Sequence, residues 1–196
     1  MDITRSDVQG RARATKLADT DVGRAAEVAY EIRHPWYRCQ ALSSVAEVQP
    51  DKALAIKLIR DAFCAAEEQD DINRIVTVSS WPLKICVRLA PGMAEEKVQE
   101  LVERASNEPH TLRRADALYA VLVAVKESAS LKIQVLPAIV EALTLGHGWR
   151  IERLIANVAL SVKDDHPEYI PKLLEVHRDN ARKRKLLVEL AGAASA

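Results

Sequence analysis

Tyr37-Arg38-Cys39-Gln40-Ala41-Leu42-Ser43-Ser44-Val45-Ala46 and Arg114-Ala115-Asp116-Ala117-Leu118-Tyr119-Ala120-Val121-Leu122 share one pattern. Each has an arginine, an Ala-Leu pair three and four residues on, and then an aliphatic pair. Arg74 and Arg153 open similar, more degenerate segments, so the four arginines stand 36, 40 and 39 residues apart. A second amphipathic stretch follows each of them, at 51–67, 94–106, 131–145 and 167–178. A period near 36 to 40 residues that holds two helices has the size of an α-solenoid unit.

The apolar spacing says which element repeats. Ala55, Leu58, Ile59, Ala62 and Ala66 fall at i, i+3, i+4, i+7 and i+11, with Phe63 widening the stripe, and so line one face of a helix. Leu118, Val121, Leu122 and Val125 fit the same template, as do Ile151, Leu154, Ile155, Val158, Ala159 and Val162. Pro35, Pro50, Pro109 and Pro167 each precede such a run, where a missing N–H costs nothing. Pro91-Gly92 and Gly146 with Gly148 mark breaks. The expectation is an all-α fold of about ten helices, a right-handed α-α superhelix of antiparallel pairs near 34–68, 70–106, 109–145 and 147–178. It forms a single domain over 1–196, with capping helices at both ends.

These repeats resemble a degenerate HEAT-like helical-repeat protein, with the tetratricopeptide class second. Pro82 and Pro137, inside helical runs, are similar to the kinks that HEAT repeats carry. The resemblance spans about residues 20–180 and implies a stacked architecture with a concave binding surface. Fold-level likeness does not give function.

Composition supports a packed helical chain. Hydrophobic residues make up 48% and aromatics only 4%, so the core must be aliphatic, and six glycines are too few for a hairpin-rich β fold. Lys and Arg number 28 against 28 Asp and Glu, which leaves no overall field to draw in nucleic acid or an anionic membrane. No apolar run is long enough to span a bilayer and the first residues do not form a signal peptide, so the expected location is the cytoplasm. Cys39, Cys64 and Cys86 are too widely spaced for a disulfide framework or a CxxC metal pair and read as buried thiols.

No nucleophile elbow, Walker loop, HExxH or paired-carboxylate motif is present, and nothing implies a cofactor or metal. Asp164-Asp165-His166 reads as a cap on the following helix rather than a metal site. Gly146-His147-Gly148 reads as an inter-repeat turn, with anion binding as its alternative. The residues suited to binding are the aromatic and arginine groups at repeat starts: Trp36, Tyr37 and Arg38, then Arg114, then Trp149, Arg150 and Arg153, with Trp81 between them. Each Trp has packing at a repeat junction as its alternative, and the four repeated arginines have a charge ladder as theirs. Arg178, Arg182, Lys183, Arg184 and Lys185 form a basic patch or a solvated end cap. The expected function is a non-enzymatic protein-interaction module or scaffold. The alternatives are a nucleic-acid-binding HEAT-like protein of the DNA-repair type and an immunity or inhibitor protein against a toxin or effector.

Overall fold

The structure is a computed structural model that describes residues 2–192, so Met1 and 193–196 of the domain expected over 1–196 lie outside the described residues. The described residues form eleven α-helices: α1 (Arg5–Ala18), α2 (Val22–Glu31), α3 (Pro35–Val48), α4 (Lys52–Glu67), α5 (Ile72–Leu89), α6 (Pro91–Ser106), α7 (Thr111–Ala124), α8 (Ala129–Leu145), α9 (Trp149–Val162), α10 (Ile170–Val176) and α11 (Ala181–Gly192). A single 3-10 turn, Pro167–Tyr169, leads into α10, and no strand occurs among the described residues.

Helix starts carry capping side chains that the sequence reading did not single out, as well as prolines. Asp21, Asp51, Asp71 and Ser128 each accept a backbone N–H of the first turn, which satisfies donors that a helix start leaves free. Pro35 and Pro91 occupy first positions.

Helices pair in chain order, α1 with α2, α3 with α4, α5 with α6 and α7 with α8. The odd-numbered helices also pack on one another in succession, α1 on α3, α3 on α5, α5 on α7, α7 on α9 and α9 on α11. Among even-numbered helices, α6 meets α8 and α8 meets α10, while α2 meets α4 through polar side chains, Tyr30 donating to Asp61 and accepting from Lys57. The array therefore has two layers, with the odd layer continuous. Small side chains permit that approach: Ala14 and Ala18 of α1, Cys39, Ser43 and Ala46 of α3, Ser79 of α5 and Ala115 and Ala117 of α7 are all buried. Leu42, Ile59, Leu83, Leu101, Leu118, Leu122, Ile139 and Ile155 fill the space between the layers. Burying one such side chain is worth about 2 kcal/mol.

The two internal prolines lie in different layers, Pro82 in α5 and Pro137 in α8, so they are not one repeated feature. Pro82 has no N–H to offer the Val78 carbonyl four residues earlier. The buried Cys39 thiol of α3 donates to that carbonyl instead, at 3.5 Å, so the missing donor and the neighbouring thiol are matched.

At the first end, Asp7 ties the capping pair to the repeats. Its Oδ2 accepts from the Thr4 hydroxyl at 2.6 Å and the Thr4 N–H at 3.0 Å, while Oδ1 accepts from the His34 N–H at 3.0 Å. These donors hold its carboxyl down at about 2. At the other end α11 buries Leu186 but leaves Leu187 and Val188 exposed beside its basic residues, so the outer face is only partly polar.

Cys39 and Cys86 are buried, and burial raises both thiols, Cys86 to about 11. Cys64, in contrast, points outward from α4 because it stands off the 55–58–59–62–66 stripe. A thiol reagent at neutral pH should label Cys64 alone in the native chain and all three cysteines in denaturant. Rapid native labelling of Cys39 would contradict this packing.

Because the Asp7 carboxyl is depressed when folded, its contribution is present above the unfolded value near 3.8 and fades as pH falls towards about 2. Asp7→Asn should cost about 1–2 kcal/mol at pH 7. It should also flatten the loss of melting temperature on going from about pH 4 to about pH 2.

Candidate binding surfaces

Two surfaces stand out, one on the open face of the odd layer and one at its loop edge. The first is a groove of about 420 Å³ that crosses three successive odd helices. Ser43, Ser44 and Glu47 come from α3, Ser80, Trp81, Lys84 and Ile85 from α5, and Ala120, Val123 and Ala124 from α7, with Lys126 just beyond that helix. The spacing of Ser44 with Glu47, Trp81 with Lys84 and Ala120 with Val123 turns one side of each helix outward. Trp81 is 41% exposed and Val123 45% exposed, so the floor is apolar and open. Lys84 lies 3.4 Å from Glu47, and Arg88 3.6 Å from the same carboxylate, which leaves the rim with more positive than negative charge.

The repeated arginines mostly serve the loops. Arg38 donates to the Ile32 carbonyl at 3.2 Å and pairs with Glu68 of the α4–α5 loop. Arg74 pairs with Asp70 at 3.0 Å, and Arg113 reaches Asp71 at 2.6 Å and Glu108 at 3.3 Å. Arg114 Nε donates to the Glu108 carbonyl at 2.9 Å. Of these contacts only Arg113–Asp71 crosses from one expected repeat to the next, so the repeated arginines form local loop-edge pairs and not the expected ladder between repeats. Solvent-exposed pairs of this kind are worth little each, about 0–1 kcal/mol.

At α9 these loop-edge ion pairs stop. The α8–α9 loop, Gly146-His147-Gly148, carries no acid. Gly148 has φ +98°, a conformation open to glycine, and a side chain at Gly146 would collide with Ile151, whose Cδ1 would be 2.6 Å from the added carbon. This turn presents Trp149, 54% exposed, at the first position of α9. Arg150 and Arg153 lie over its ring at 5.5 and 5.4 Å from the centroid, and Arg182 of α11 at 5.9 Å. The Arg182 guanidinium also donates to the Trp149 carbonyl at 3.2 Å. Folding therefore joins the α9 group to one member of the basic patch.

The three tryptophans do not form a single row. Trp36 is half-buried against the core beside the buried His34, which caps α3 by accepting the Trp36 N–H at 3.3 Å. Tyr37 packs edge-on to His34, with Arg11 over its ring at 6.0 Å. In the basic patch, Arg178 pairs loosely with Glu152 at 3.8 Å, Lys183 donates to the His177 carbonyl at 3.2 Å and Lys185 faces Glu189 at 3.6 Å. Arg184 makes no side-chain ion pair among the described residues.

Asp165 and His166 do not cap the following turn. Asp165 pairs with the buried Lys132 of α8, and His166 Nε2 lies 2.9 Å from the Ala129 carbonyl. Both link the α9–α10 loop to the start of α8, across repeats that the sequence separates. No group of three or more metal-type ligands occurs among the described residues, and none of their helices is long and apolar enough to cross a membrane.

Searches against protein-family models, curated proteins and solved structures find no match to this chain.

Gly148→Ala should destabilise the chain by about 1–2 kcal/mol, because alanine resists a positive φ. Denaturant melts would measure this, and a loss below a few tenths would show that the turn adapts.

Proposed function

We propose that the chain is a non-enzymatic binding module whose groove on the odd layer holds an extended or helical segment of another protein. The observation that carries this reading is the exposure of Trp81 and Val123 in a groove shared by three helices. Isolated exposed apolar residues are ordinary, but a Trp in an apolar recess with a charged rim has the composition of an interaction hot spot. A HEAT-like, right-handed superhelix with the odd helices on its concave side, working in a reducing compartment such as the cytoplasm, accords with the continuous odd layer and the free cysteines.

Peptides selected from a random library on the purified chain should contain an apolar anchor. Their binding should fall about tenfold or more on Trp81→Ala or Val123→Asp, and should be unchanged by Leu54→Ser on the exposed side of α4. A selection that yields no binders, or binders indifferent to both groove changes, overturns the proposal.

A further inference from the structure

We infer that Trp149, Arg150, Arg153 and Arg182 form a second site that takes an acidic protein segment by its carboxylates. Three guanidiniums lie within 6 Å of one indole centroid, two from α9 and one from α11. Among the described residues none of the three makes an ion pair, whereas Arg38, Arg74 and Arg113 near the earlier repeat starts do, and Arg114, the repeat counterpart of Arg153, donates instead to the Glu108 carbonyl. The nearest acids are engaged or set back. Glu152 is held by Arg178 at 3.8 Å and by the Asn180 amide at 3.0 Å. Asp116 on α7 faces Arg150 and Arg153 without reaching ion-pair distance.

Like charges gathered this closely repel one another, and an incoming anion removes that repulsion while gaining charge-assisted hydrogen bonds. The site is also positioned in advance. The Gly148 turn sets the backbone that carries Trp149, and Arg182 is anchored through its bond to the Trp149 carbonyl, so Arg182 has less side-chain freedom to lose.

The arrangement favours carboxylates on a polypeptide over a nucleic-acid strand. Three guanidiniums stand within 6 Å of the indole centroid and compete with a base for stacking on the exposed ring. Asp116, exposed on α7 near Arg150 and Arg153, sets a negative charge beside the cluster, which opposes a long run of phosphates. Arginine forks bind carboxylate and phosphate alike, but Trp with Arg is the pairing that dominates protein interfaces, which favours a polypeptide as the occupant.

This site shares no side chain with the Trp81 groove, so each reading can fail without the other. The test follows the indole N–H resonances of the three tryptophans by NMR in the full chain, with Trp149 assigned through Trp149→Phe. Three probes are titrated at matched low ionic strength: a capped peptide of glutamate, aspartate and leucine, sodium phosphate, and a short oligothymidylate. The acidic peptide should move the Trp149 resonance saturably and leave that of Trp36 in place. Affinity should fall about tenfold or more in Arg153→Gln combined with Arg182→Gln, two exposed positions whose neutralisation leaves the core intact. The inference is overturned if the peptide gives no saturable shift. It is overturned equally if phosphate alone saturates the same shift at the same concentration, or if oligothymidylate binds more tightly than the peptide.

Discussion

An antiparallel helix pair such as α3 and α4 carries apolar side chains on more surface than the two helices can hide from each other. Leu42 and Val45 lie on one helix and Leu58, Ile59 and Phe63 on the other, and all are buried only because further pairs stack alongside. Everything else in the architecture depends on that requirement. The odd helices must come close, which explains the alanines, serines and Cys39 at their contacts. Once Pro82 has withdrawn an N–H from α5, the adjoining helix must supply another donor, and the Cys39 thiol fills that place.

The same stacking sets the surface. Each odd helix keeps one side outside the packed layers, and three such sides in succession make a groove with a floor of Trp81, Ala120 and Val123. At the loop edge, acids in the α4–α5 and α6–α7 connections neutralise arginines that begin the odd helices. The α8–α9 connection has glycines in place of acids, and the positive charge left over gathers on Trp149. Zero net charge thus conceals a local excess. α5 carries Arg74, Lys84 and Arg88 with no acid, whereas α6 carries four glutamates against Lys97 and Arg104.

The helices, several of their starts and their pairing were legible because they rest on local rules: apolar spacing at 3.6 residues and prolines at or just before first positions. Cys64 illustrates the limit of reading by neighbourhood. It sits among alanines and Phe63 yet lies off the apolar stripe, and so it faces outward. Asp165 and His166 show another limit, since a cap is a local arrangement while their partners, Lys132 and Ala129, are more than thirty residues away.

Sequence by itself determined that this chain is a helical array and that aromatic and arginine groups stand at its repeat starts, because periodicity and composition are properties of neighbouring residues. Tertiary structure alone decided which of those groups are used up and which are left open. Arg38 and Arg114 are bound to loops, Trp36 is packed against the core, and Trp81 and Trp149 face outward on different surfaces. The physical reason is that exposure and charge pairing depend on what the next repeat brings alongside, and Arg182 meets Trp149 only when the array has closed the 33-residue gap between them.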